Sequence, residues 1–72
     1  MPETRARLAR VASIVLAHNH PSGDPTPSGA DQSMTDRICH GASLLGIDVM
    51  DHVVIASKGF ASMAELGMVP KY

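Results

Sequence analysis

A nine-residue break from Asn19 to Pro27 does most to limit what this chain can become. It reads N-H-P-S-G-D-P-T-P, and three prolines with one glycine preclude regular structure across it. Just upstream, Ser13 to His18 (SIVLAH) is a β-branched apolar run that predicts a buried strand. Downstream, Ala30, Met34, Ile38, Ala42 and Leu45 recur at helical spacing, with Gln32, Asp36, Arg37, His40 and Ser43 mostly on the other side. Ser28 suits an N-cap, Asp31 sits three residues on as in a capping box, and Gly46 suits the left-handed residue that ends a helix. Ile47 to Ala56 then predicts a second strand, and Ser57-Lys58-Gly59 a turn. Ser62–Leu66 reads as a last short helix stopped by Gly67 and Pro70, and residues 3–12 as a short first helix.

The resulting order is α–β–loop–α–β–turn–tail, a mixed α/β (α+β) fold with one βαβ unit. All 72 residues are expected to form a single small or partial domain. A chain near this size buries only about 60% of the surface it exposes when unfolded, so the core should be thin. Two parallel strands rarely stand alone, because open edges invite pairing. The sheet is therefore expected to be completed by another copy, as a homo-oligomer through sheet edges, or by a larger domain.

Composition narrows the function classes. At 44% apolar the chain is globular rather than disordered. No apolar run approaches the roughly 20 residues of a membrane helix, and no signal peptide precedes the first charges, so neither the membrane nor export is expected. Cys39 is the one cysteine and cannot form an internal disulfide, which fits a reducing cytoplasm. Six basic against seven acidic residues leave a net charge of −1, no strong footprint for nucleic acid despite Arg5, Arg7 and Arg10. With no tryptophan, one Phe and one Tyr, there is no aromatic platform for stacking bases.

The chemistry concentrates beside the break. His18 and His20 stand two residues apart at a strand end, so period-2 alternation sends both imidazoles from one face toward one ion. H-x-H alone is a weak signal. The stiff loop strengthens it by delivering Ser28 and Asp31 to a helix start beside that strand end. Two imidazoles and a carboxylate, with a fourth position left for water, are the ligand set of a catalytic zinc site. In an open site the metal lowers the pKa of bound water towards about 7 and polarises the carbonyl under attack. A neighbouring serine hydroxyl could hydrogen-bond the developing oxyanion. Taken apart from the histidines, Ser28 and Asp31 are explained as well by helix capping.

Residues 13–31, S-I-V-L-A-H-N-H-P-S-G-D-P-T-P-S-G-A-D, resemble the motif of the JAMM (MPN-plus) metallohydrolases in the bacterial RadC-like branch. The stretch L-L-G-I-D-V-M-D-H-V-V-I over residues 44–55 and the ending G-F-A-S-M-A-E-L-G are similar to that branch as well. The resemblance implies one zinc held by His18, His20 and Asp31, Ser28 stabilising a tetrahedral intermediate, and cleavage of an amide or isopeptide bond in a peptide or protein substrate. It also brings a DNA-repair name, which with the arginine cluster raises association with DNA. The family's domain opens with further strands, one carrying a glutamate base, so this chain is expected to match its C-terminal portion, N-terminally truncated. Glu3 lies in the predicted first helix and matches no family position. The alternative is an inert module that binds metal or pairs through its sheet edges.

The other reactive residues read more plainly. Asp24 suits a turn rather than an outer partner to a histidine, and His40 an exposed pair with Asp36 four residues earlier. His52 reads as a buried, hydrogen-bonded histidine with no spacing that makes it a ligand, and Cys39 as a small core residue. The letters H-N-H lack the flanks of an HNH nuclease. Neither H-E-x-x-H nor the P-C-x-x-C of a zinc deaminase occurs.

Overall fold

The computed structural model describes residues 12–72. The elements in order are β1 (Ala12–Asn19), α1 (Gly29–Leu44), β2 (Ile47–Ala56) and β3 (Gly59–Ser62). They form a mixed α+β fold with one three-stranded sheet in the order β1-β2-β3. β1 pairs with β2 in parallel and β2 with β3 antiparallel, so the βαβ unit expected from the sequence is present. Most of the helix expected over residues 3–12, with Glu3 and the arginine trio, lies outside the described residues; Ala12 opens β1. No helix among the described residues is long and apolar enough to cross a membrane.

Local chemistry sets the ends of α1. Ser28 Oγ accepts from the Asp31 N–H at 3.1 Å, and Asp31 Oδ2 accepts from the Ser28 N–H at 2.8 Å. This is the reciprocal capping box the spacing predicts. At the other end Gly46 takes φ 74°, a conformation that would strain a side-chain-bearing residue, and its N–H reaches the Ser43 carbonyl at 3.3 Å.

Two expectations fail. The buried stripe of α1 is Asp31, Thr35, Cys39 and Ala42, whereas Met34 and Leu45 of the expected stripe are 55% and 71% exposed. The helix is rotated so that its first turns present polar groups to the sheet. In addition, Ser62–Leu66 forms no helix. Gly59–Ser62 is a strand, and the residues after it make consecutive turns, with Leu66 N–H on the Ser62 carbonyl at 3.2 Å and Gly67 N–H on the Ala64 carbonyl at 3.1 Å. Asp51 imposes this arrangement. Its Oδ2 accepts from the Ser62 hydroxyl at 2.6 Å, and its Oδ1 from the Ala64 N–H at 2.9 Å and the His52 N–H at 2.7 Å. Burial raises the Asp51 carboxyl, but these donors outweigh it and hold the group below its ordinary value.

The ladder between β1 and β2 slips by one residue, because Ile14 pairs with Val49 and Val15 with Asp51. Met50 is the extra residue. A bulge exchanges the faces of everything beyond it. Val49 is buried before it, and His52 and Val54 are buried after it. His52 owes its inward direction to this slip.

Cys39, Ala42 and Val49 centre the apolar core, with Ile14, Leu16, Ile38, Ile47 and Val69 packed against them. Burial pushes the Cys39 thiol up, as expected of a core residue rather than a nucleophile. The sheet also carries large exposed apolar groups, among them Val15 at 60%, Ile55 at 44% and Phe60 at 69% exposure.

Candidate metal centre

Along β1 the burial alternates, with Ile14, Leu16 and His18 half-buried between exposed neighbours, and His20 continues the pattern just past the strand. The His20 N–H donates to the Ile55 carbonyl at 2.8 Å, extending the ladder by one residue. Both imidazoles therefore leave the face covered by α1, above the apolar groups that anchor the strand.

The loop is fastened at its glycine. Gly23 has φ 90°, and a Cβ there would lie 2.9 Å from Ser57 Oγ. Its carbonyl accepts from the Lys58 N–H at 3.2 Å, tying the loop to the β2–β3 turn. Asp24 behaves as the turn residue its sequence suggests, accepting from the Thr26 N–H at 3.0 Å and the Thr26 hydroxyl at 2.8 Å. Those two bonds lower its carboxyl pKa. The Asp24 backbone has a second use, because its carbonyl accepts from His20 Nδ1 at 3.0 Å.

His18, His20 and Asp31 come together as the spacing predicts. One ligand atom from each lies within 4.8 Å of the others, in a group that could hold a metal ion. His20 Nε2 is 2.8 Å from Asp31 Oδ2, and His18 Nε2 is 3.1 Å from Asp31 Oδ1. Two ligands about 2.0–2.1 Å from a tetrahedral zinc stand roughly 3.3 Å apart, so the spacing fits such an ion after small side-chain shifts.

Donor bookkeeping points the same way. A carbonyl has no hydrogen to give, so His20 Nδ1 must carry the proton it shares with Asp24. In an uncharged ring this leaves Nε2 bare, facing a carboxylate oxygen. Acceptors that close need a cation between them, whether a proton or a metal. His18 Nε2 is buried without a hydrogen-bond partner, because Asp31 Oδ1 is near but out of line. Burial raises the Asp31 carboxyl, yet hydrogen bonding from Ser28 and the neighbouring imidazoles outweigh it, so the anionic form is favoured.

Ser28 is exposed and joined to Asp31 through the capping box. Its Oγ caps α1 through a lone pair, and that bond leaves the hydroxyl proton uncommitted. An apolar cleft beside His18 and Asp31 is lined by Leu16, Ala17, Met34 and Ile38, and His52 reaches it.

Two further residues adjoin the group, and of these Thr35 carried no signal in the sequence. His52, 3% exposed, meets His18 Nδ1 through its Nε2 at 2.8 Å, and Thr35, fully buried, meets His52 Nδ1 at 2.6 Å. His52 is buried and hydrogen-bonded, as its place in the strand predicts, but which groups it meets depends on the bulge. Burial, followed by the proximity of His18, lowers the His52 pKa and favours the uncharged ring. The pairing expected between His40 and Asp36 does not form. Tyr72 takes both, stacking on His40 with ring centroids 4.9 Å apart and donating its hydroxyl to Asp36.

The sequence matches the RadC-like JAB domain family model over residues 4–68. It is 44% identical over 64 residues to a UPF0758 protein of Methanosarcina acetivorans, covering 89% of this chain and 28% of that protein. A UPF0758 protein of Desulforamulus reducens is 47% identical over 58 residues (81% and 26% coverage), and one of Desulfitobacterium hafniense 49% over 57 residues (79% and 25%). The chain thus spans about a quarter of the length of the relatives it matches. With a family model matched over residues 4–68 and relatives 44–49% identical over most of its length, the chain belongs to the RadC-like JAB domain family.

Proposed function

We propose that this chain holds one zinc ion through His18, His20 and Asp31, and that the site serves hydrolysis of an amide or isopeptide bond in a peptide or protein. The observation that carries the reading is the meeting of two imidazole nitrogens with one carboxylate at 2.8–3.1 Å, a geometry that a shared cation would satisfy. Two nitrogens and one oxygen suit zinc, and three protein ligands leave a corner open as catalytic sites do. Bound there, a divalent cation supplies Lewis acidity, acidifying a water molecule and polarising a carbonyl.

The chain's own groups do the rest. Asp24 and His52 fix the ring orientations of His20 and His18. The capping box fixes Asp31. Ser28, with its hydroxyl proton uncommitted by the cap, donates to a substrate oxygen as negative charge develops on it. The apolar cleft lined by Leu16, Met34 and Ile38 accepts a hydrophobic portion of the substrate. A single buried thiol, Cys39, suits a reducing compartment such as the cytoplasm.

Elemental analysis after purification without chelators should find about one zinc per chain, lost in His18→Ala and Asp31→Ala with the circular dichroism spectrum retained. A metal-free wild-type chain would overturn the reading.

The exposed Val15, Ile55 and Phe60 favour a second reading, in which the chain is an inert metal-binding module that completes its sheet against another copy. Light scattering together with a panel of fluorogenic peptide amides separates the two. Turnover that depends on zinc and Ser28 defeats the inert module, and a dimer without turnover favours it.

A further inference from the structure

We infer that Thr35 and His52 are positioning residues that hold His18 as its Nδ1–H tautomer and so keep its Nε2 bare toward the cation. The inference rests on the metal-binding reading above and adds to it how one ligand is prepared.

The direction follows from counting hydrogens. Thr35 Oγ1 has a single hydrogen and three neighbours: the Asp31 carbonyl at 2.7 Å, His52 Nδ1 at 2.6 Å and Met63 Sδ at 3.6 Å. The carbonyl can only accept, so the Thr35 hydroxyl must donate to it. Thr35 Oγ1 is then the acceptor for His52 Nδ1–H. An uncharged imidazole has one N–H and one bare nitrogen, so His52 Nε2 is bare. It accepts from His18 Nδ1 at 2.8 Å, and the same rule leaves His18 Nε2 without a proton.

The reverse direction fails at both ends. It would set the Asp31 carbonyl against a Thr35 oxygen at 2.7 Å with no hydrogen between them. It would also place a proton on His18 Nε2, which is buried and has no aligned acceptor. Only one orientation satisfies the three contacts that link Asp31, Thr35, His52 and His18, and it leaves Met63 Sδ as a packing neighbour of the hydroxyl.

The surroundings are built for this purpose. Thr35 and Met63 are 0% exposed and His52 3%, so no water competes for the hydroxyl or the ring. The bulge at Met50 is what turns His52 inward. Thr35 serves two ligands at once, reaching Asp31 through its backbone carbonyl and His18 through His52. The apolar alternatives at these positions, a leucine or a valine, would fill the space and leave the His18 ring free to turn.

The test combines affinity with a direct readout of protons. In competition with a chromophoric chelator, His52→Leu is expected to weaken zinc binding about 10–100-fold, the usual loss when an outer partner of a ligand is removed. His52→Gln keeps an acceptor within reach of His18 and should recover most of that loss. Thr35→Val should weaken binding and Thr35→Ser should not, a pair that decides the matter if His52→Leu does not fold. Nitrogen-15 spectra of the histidine rings in the wild-type chain should show His52 protonated at Nδ1 and His18 at Nδ1. Wild-type affinity in a folded His52→Leu chain, or a proton on His52 Nε2, would overturn the inference. If the wild-type chain bound no zinc at all, the metal-binding reading would fall, and the ring spectra of the metal-free chain would still decide the direction.

Discussion

The two ends of the single helix–sheet interface are built on opposite plans. Toward the C-terminus of α1, the apolar groups Cys39, Ala42 and Val49 pack with Ile14, Ile38 and Ile47. Toward its N-terminus the same stripe continues as Asp31 and Thr35, which face His18, His20 and His52. A buried polar group without a partner costs about 1–3 kcal/mol, so this second half is tolerable only because nearly every atom in it is paired. The exception, His18 Nε2, points to the candidate metal position. One half of the interface supplies stability, and the other spends some of it on a prepared site.

If this division is correct, damage to the two halves should separate cleanly. The largest effect is expected at the polar end. His20→Ala should weaken zinc binding well beyond the roughly 10–100-fold that outer partners cost, with little loss of thermal stability in the metal-free chain. Chelator competition and a melting curve check it. A comparable collapse of the metal-free fold would show that the two halves are not separable.

At the apolar end, Val49→Ala removes two buried methyl groups. It should cost about 2 kcal/mol by the transfer and cavity contributions together. For a domain this small that lowers Tm by roughly 8–16 °C. Zinc affinity, measured at a temperature where the variant is folded, should be unchanged. A matching loss of affinity would mean that core packing reaches the ligands.

The contrast also explains what was legible in the sequence. The strands β1 and β2, the proline break and both ends of α1 were readable because each rests on local chemistry: β-branched runs, a capping box, a helix-ending glycine. The group of His18, His20 and Asp31 was readable because period-2 alternation and an N-cap are local too. The helix face was not. An apolar-stripe search selects Met34 and Leu45, and it cannot know that an aspartate and a threonine are the inward residues when their partners lie at His18, His20 and His52. Strand β3 was missed for a similar reason. Four residues, Gly59 to Ser62, carry little periodic signal, and the carboxylate that fastens them is Asp51 on a neighbouring strand. Non-local pairing was the part hidden from view, and the bulge at Met50, which aims His52, belongs to the same class.

Asp51 offers a pH test on the sheet rather than the site. Its pKa is lowered in the folded chain, so the stability it contributes is present above the ordinary carboxylate value near 3.9 and is lost as pH falls through the lowered folded value. Asp51→Asn should remove this part of the acid sensitivity and cost about 1–2 kcal/mol at neutral pH, since an amide cannot accept all of these bonds as strongly as a carboxylate. Urea unfolding at pH 7 and below pH 4 measures both. Equal stability losses at the two pH values would mean that the ionised carboxylate is not what fastens β3.

The smallest stability effect belongs to Ser28, and it is the most discriminating, because this residue sits on the border between scaffold and chemistry. Ser28→Ala removes the cap and should cost about 1 kcal/mol, whatever the residue's other role. Ser28→Asn keeps a capping oxygen of similar strength and should cost almost nothing, but it removes the hydroxyl. Capping and oxyanion support therefore predict different pairs of results. If capping is the whole role, Asn restores stability and any amide-hydrolysing activity together. If the hydroxyl donates to substrate, Asn restores the melting temperature and the zinc content while turnover stays about 10²–10³-fold low, the loss typical of one missing oxyanion donor. A fully active Ser28→Asn chain would show that the hydroxyl itself is dispensable, and Ser28→Asp, which keeps a capping oxygen but has no hydrogen to donate when ionised, would then decide whether the amide N–H had taken its place.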